Sequence, residues 1–557
     1  MRHPIEAASA GRRRAAGSAA RPARAAAAAG LFVWALLGQA GVAWAQDGGA
    51  PLPYSAAVAA RFPEPTTHYD APVLAPGATG FTADADLAAQ LAAVVAGAPA
   101  GTRIDRLQPG RSQAGVPLEA LWLHRADGLR RPLVLMVGQQ HGDEPAGAEA
   151  LLILARQVGQ GDLAPLLGQI EVLLLPRANP DGAAWQRRTA GNGLDINRDH
   201  LLLQTPEAGA VAALVREHRP VVVVDAHEHT VVGRYLEKFD AVQRFDLLLQ
   251  YAMTANLPEA LGRASEAWFR QPILEALAAD GLRTEWYYTN PTTPGDLRLV
   301  MGGVQPDTSR NVQGLRHAVS LLLESRGVGI GRLHLARRVH TQVLAMRSVL
   351  QQAARHADAL LALQARADAE VQAQACTGRV VVWAEGTPGR RELLMLDPLT
   401  GADKPVAVAW TSALDLKVRT ERRRPCGYWL DAGQQAAVAT LRALGLTVRQ
   451  LARPAEWPAE AWIEQARGEI GRPDVRGMVA DAGRGVLQLV VDLHPGDLQA
   501  PAGSYYLPLD QPLANLAVAA LEPDTQNSFV ANRLVNKLAA VRRVLVRPAA
   551  ETLVALP

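Results

Sequence analysis

Apolar residues in this chain gather into short unbroken runs set between stretches of helical spacing. Residues 133–137 (Leu-Val-Leu-Met-Val) and 221–224 are wholly apolar, and residues 170–175 are broken only by Glu171. Runs of this length, bounded by Gly, Pro or Asp, read as strands buried on both faces. Between them, residues 82–96, 145–158 and 206–218 carry Ala and Leu at helical spacing, and 311–320 leads as a helix into a further run at 321–323. Strands are also expected at 102–107 and 118–124 around a Gly-rich turn, and helices around 257–280. This alternation predicts an α/β fold, a mixed, mostly parallel sheet flanked by helices.

The pattern changes after residue 330. Residues 331–375 read as one long helix or two, with Arg, His and Gln on a solvated face. From residue 378 short strands are expected at 379–385, 392–396, 447–449 and within 478–492, with a helix at 432–444. The aromatic stretch 503–512 reads as a loop that packs on the rest or covers a cleft. The expected plan is a leader (1–45), an extended and helical entry (46–100), a catalytic domain (101–345), a helical linker (346–377) and a smaller α/β or α+β C-terminal domain (378–557).

The leader changes the charge balance. Residues 1–24 hold six Arg against one Glu, and residues 25–45 are almost wholly apolar, ending Ala43-Trp44-Ala45. A basic region, an apolar run and a small-x-small site describe a secretory signal peptide, with an uncleaved anchor as the alternative. Lys and Arg total 57 and Asp and Glu 54; without the leader they are 51 and 53, so the basic whole-chain pI implies no nucleic-acid partner. The expected location is exported, periplasmic or secreted, with no stable membrane association once the leader is removed. Cys376 and Cys426 are the only cysteines; they are open to pairing or to remaining separate thiols.

Chemistry collects where the apolar runs end. His141 and Glu144 follow the run at 133–137, His227 follows 221–224, and Glu324 follows 321–323. Ligand sites of open α/β sheets lie beyond the carboxyl ends of strands, so these residues converge by topology. Two His and one Glu leave a fourth position open, the pattern of a catalytic zinc site. His229 competes with His227 as the third ligand. Glu324 is the candidate general base, the bland reading being an ion pair with Arg326. Asn197 and Arg198 can hold a carboxylate, and Arg188 or Arg187 can meet an oxyanion.

Five motifs in order carry a resemblance: His141-Gly-Asp-Glu144, Asn179-Pro-Asp-Gly182, Gly193-Leu-Asp-Ile-Asn197-Arg198-Asp199, Asp225-Ala-His227 and Leu323-Glu324-Ser-Arg-Gly327. Over residues 100–330 the chain resembles the zinc metallocarboxypeptidases of the carboxypeptidase A type. The resemblance implies one Zn²⁺ per chain on His141, Glu144 and His227, with Glu324 as general base and Arg188 as the oxyanion arginine. It also implies that Asn197 and Arg198 grip a peptide's free C-terminus, and that Asp195 orients His141. The substrate-capping tyrosine of that family is missing from 300–304; Tyr287 and Tyr288 are its weak substitutes. The alternative function is a zinc deacylase of small N-acyl amino acids, similar to aspartoacylase or succinylglutamate desuccinylase.

Overall fold

The computed structural model describes residues 52–471, 473–474, 477–478 and 485–556; the expected leader lies outside them. Residues Leu52–Pro557 form one compact unit. Among the described residues ten strands precede residue 330: β1 (Thr102–Arg111), β2 (Pro117–Arg125), β3 (Leu133–Gly138), β4 (Glu171–Leu175), β5 (Val222–Thr230), β6 (Leu247–Tyr251), β7 (Thr284–Trp286), β8 (Tyr288–Thr289), β9 (Arg298–Met301) and β10 (Val319–Val328).

Eight of them make one mixed sheet in the order β1-β2-β4-β3-β5-β10-β6-β7. Its centre, β4-β3-β5-β10, is parallel. Those central strands are buried on both faces, which explains their unbroken apolar runs. Alternate residues feed two cores. Val134, Met136, Val222, Val224, Leu321 and Leu323 pack with helices Ala146–Gly159, Gln271–Ala279 and Leu335–Arg355. Leu133, Leu135, Val137, Leu173 and Val223 pack with helix Pro206–His218 on the other side. The α/β expectation is met as helices on both faces of a mixed sheet.

Several local expectations are corrected. β5 and β10 run through the polar residues that the sequence suggested would follow them, so His227 and Glu324 sit inside strands. The helix before β10 is only Ser309–Leu315. The expected solvated face of helix Leu335–Arg355 is largely buried. Arg338 forms a two-pronged pair with Glu228 (2.8 and 2.9 Å), and Arg337 pairs with Asp246. The two short strands at 379–396 are one strand, β11 (Arg379–Leu396), which forms a long antiparallel ribbon with β12 (Asp403–Arg423). This ribbon joins β9 and β8 in a second sheet. Tyr505–Pro508, expected as loop, is a buried strand within a seven-stranded antiparallel sheet. Cys376 and Cys426 are joined in a disulfide at the foot of the ribbon.

Candidate metal centre and active-site cleft

Each site residue reaches the rim of the central sheet by its own local device. β3 ends at Gly138, and the chain turns through Gln139, which has positive φ, before His141. Gly142 permits a close approach that no other residue allows: a Cβ there would stand 1.9 Å from the carbonyl carbon of Gly182. Asn179 clamps the same two loops. Its Oδ1 accepts from the Gly182 N–H (2.9 Å), and its Nδ2 donates to the carbonyls of Gln140 (3.0 Å) and Arg188 (3.3 Å). The Asn-Pro-Asp-Gly turn is therefore the fastening between the loops that leave β3 and β4. In the neighbouring parallel pair, Glu324 of β10 stands in register with His227 of β5.

His141, Glu144 and His227 form the one group among the described residues with metal-ligand spacing. His227 Nδ1 lies 3.0 Å from His141 Nδ1 and 2.8 Å from Glu144 Oε2; His141 Nδ1 lies 3.0 Å from Glu144 Oε1. The outward nitrogens are held by carboxylates: His141 Nε2 is 3.0 Å from Asp195 Oδ1, and His227 Nε2 is 2.9 Å from Asp225 Oδ1. An Nε2–H that donates outward leaves the Nδ1 lone pair facing inward, as a metal ligand requires. Two such lone pairs and a carboxylate aimed at one another repel unless a cation lies between them. The donor set thus fits zinc, with a position left for water. Burial would raise Glu144, but the two histidines hold it well below the usual carboxylate range.

Glu324 is buried and, among the described residues, has no basic side chain within ion-pair distance. Burial raises its carboxyl to about 7; Glu144 adds to the rise, and His227, His141 and Arg188 oppose it. The alternative partner, Arg326, lies instead 3.2 Å over the ring of Phe62. Arg188 Nη1 lies 3.1 Å from His141 Nδ1, and its Nε donates to Asp195 (2.7 Å). Arg187 turns away, donating to the carbonyls of Ala190 and Gly191 and stacking on Trp185. His229 stays outside the ligand group; burial pushes it down to about 3, and its Nδ1 faces the Thr230 carbonyl.

A cleft opens over these groups, lined also by Arg198, Arg234, Tyr235, Asn290 and Arg310. The Asn197 amide is engaged within its wall: Oδ1 accepts from Ser309 N–H (2.8 Å), and Nδ2 lies 3.1 Å from His227 Nε2. Tyr287 and Tyr288 both border the cleft, but the Tyr288 hydroxyl is committed to Gln243 (2.6 Å). Asp225, the partner of His227, had a signal in its place two residues before that histidine. The wall formed by Arg234, Tyr235, Asn290 and Arg310 had none, because it comes from segments with no recognisable spacing.

A buried two-histidine, one-carboxylate group beside an unpaired acid and an arginine, at the carboxyl end of a parallel sheet, defines a metal-dependent hydrolase. Residues 89–232 match the zinc carboxypeptidase family. The chain is 29% identical over 406 residues to carboxypeptidase 2 of Trichophyton rubrum, covering 72% of this chain and 73% of that protein. It is 28% identical over 402 residues to carboxypeptidase 2 of Trichophyton equinum, covering 71% and 72%. A solved metallo-carboxypeptidase from Pseudomonas aeruginosa, in complex with (2-guanidinoethylmercapto)succinic acid, is 21% identical, with 48% of this chain and 69% of that one covered at a TM-score of 0.36. Residues 89–232 thus carry the zinc carboxypeptidase match, and the full-length relatives that the chain is similar to are carboxypeptidases.

Proposed function

We propose that the protein removes single residues from the free C-termini of peptides, with His141, Glu144 and His227 holding one zinc and Glu324 acting as general base. The observation that carries this reading is the parallel register of Glu324 and His227, which sets an unpaired buried carboxylate beside the ligand group. Zinc held by these three residues would supply Lewis-acid chemistry, polarising a carbonyl and lowering the pKa of a water. Glu324 takes the proton of the attacking water and passes it to the leaving amine. Arg188, fixed by Asp195, faces the oxyanion, a contact worth about 10²–10³ in rate. Arg198, on the wall beside Asn197, holds the terminal carboxylate of the substrate. Asp195 and Asp225 position the two histidines.

The apolar leader and the disulfide together support export to an oxidising compartment, periplasmic or extracellular. Among the described residues no helix is long and apolar enough to cross a membrane.

The test uses the chain from Gln46 onward and a mixed peptide library, free and amidated at the C-terminus, read by mass spectrometry with and without chelator. Chelator-sensitive loss of one residue at a time from free C-termini only is the expected result. Untouched peptides from a zinc-loaded chain would contradict it and direct the search to small N-acyl amino acids.

A further inference from the structure

The cleft holds more positive charge than the proposed reaction uses. Of its acids, Glu144 belongs to the ligand group, Glu228 is bound two-pronged by Arg338, and Glu324 is the base. Of its arginines, Arg188 is tied to Asp195, Arg234 donates from Nε to Asn290 Oδ1 (2.8 Å), and Arg198 is assigned to the terminal carboxylate. Arg310 remains. It is the second residue of helix Ser309–Leu315 and only 2% exposed, yet it borders the cleft. Its Nη2 donates to the Gly303 carbonyl (2.9 Å), its Nε has no partner, and among the described residues no carboxylate lies within ion-pair distance. Burial lowers it to about 10, and the like charge of Arg198 adds to this. A buried guanidinium without an anion is costly, and this one is kept where a substrate would lie.

The wall beside it is built from glycine. A Cβ on Gly302 would stand 3.0 Å from Arg310 Nη1, 2.6 Å from Gln250 Oε1 and 2.7 Å from the Tyr287 ring. A side chain at 302 would crowd the guanidinium, whereas one at 303 would meet nothing within 4 Å, and Gly302, Gly303, Tyr287 and Arg310 together border the cleft. This part of the cleft is too polar for an aliphatic side chain, and its charge repels a basic one.

We infer that Arg310 is a specificity-determining residue that pairs with the side-chain carboxylate of the substrate's last residue, so that the enzyme prefers peptides ending in Glu or Asp. This rests on the carboxypeptidase reading above. It assigns two of the cleft's arginines to two carboxylates of one residue, Arg198 to the main chain and Arg310 to the side chain.

The test compares N-blocked peptides that differ only in the last residue, Glu, Gln, Leu or Lys, with the zinc-loaded enzyme. Glu and Gln have the same shape, so their ratio isolates the charge. The expected kcat/KM for Glu exceeds that for Gln by about 10²-fold, the scale of a buried charge pair. Arg310→Met should abolish that ratio, sparing the Gln and Leu peptides and keeping stoichiometric zinc. Preference of the wild-type enzyme for Gln, Leu or Lys ends would overturn the inference while leaving the carboxypeptidase reading intact; this arm needs no variant. Equal loss on every peptide in Arg310→Met would also overturn it, by moving Arg310 to the terminal carboxylate. Failure of the wild type on all four would instead remove the carboxypeptidase reading, and the inference with it. A binding readout accompanies turnover: Glu324→Gln should bind the Glu-ended peptide more tightly than the Gln-ended one.

Discussion

At the scale of single residues, the site uses burial to make ordinary side chains unusual. Glu324 is raised because water is excluded around it, and a base with a pKa near neutrality is suited to accept and return a proton. The same exclusion acts on His200, whose Nε2 contacts Gln140 Oε1 at 2.7 Å. Burial lowers it to about 4, so it is neutral in the fold. An unfolded histidine binds its proton near pH 6.5, so as pH falls from there towards 4 the unfolded chain takes up the proton first. The stabilising term is present above pH 6.5 and lost through that window. His200→Gln, which keeps a polar group, should therefore flatten the acid limb of a Tm-against-pH curve. The difference from wild type should reach about 3 kcal/mol near pH 4. Parallel curves would show that His200 is not the titrating group.

At the scale of elements, the motifs divide into those that bind and those that fasten. His141 and Glu144 supply ligand atoms, whereas Gly142, Asn179 and Gly182 hold two loops in van der Waals contact. Gly142→Ala is expected to cost stability, lowering Tm by several degrees, and to weaken zinc retention although no ligand is changed; dialysis against a mild chelator measures the second effect. Unchanged Tm and zinc retention would refute the close-packing account. The same division explains what was legible in the sequence. Central strands were readable because burial on both faces leaves no polar residue, and the ligands because they stand at strand ends. Where a strand carries its own polar chemistry, as β5 and β10 do, its end was read too early. The β11–β12 ribbon was hidden by Gly386-Thr-Pro-Gly389, which has the look of a turn. The strand runs through it with a shift of register at Gly386. The basic face of helix Leu335–Arg355 was misread because its partners, Glu228 and Asp246, are distant in sequence.

At the scale of the whole molecule, the C-terminal third supports the cleft. Trp410 of the ribbon packs edge-on against Tyr288 at 5.5 Å, and β12 pairs with β9, so the ribbon backs one wall. Val312 and Leu315, on the helix of Arg310, are buried in the same core as Leu444, Leu516 and Phe529. The Cys376–Cys426 bond closes the foot of the ribbon across a separation of 50 residues. Replacing both cysteines with serine should lower stability by about 2–4 kcal/mol. It should also raise KM more than it lowers kcat, since the bond braces the substrate wall and not the ligands. A fall in kcat with KM unchanged would contradict that assignment. Apart from the pairing open to Cys376 and Cys426, this bracing was not visible in the sequence, because it depends on which distant segments meet.

The measurement that bears most directly on the central claim is zinc content and turnover in Glu324→Gln, on one peptide with a free C-terminus. The expected result is one zinc per chain, as in the wild type, with kcat lower by about 10²–10⁴, the range of a lost general base. Near-wild-type turnover with zinc in place would show that Glu324 is not the base and that the buried carboxylate beside His227 serves another purpose.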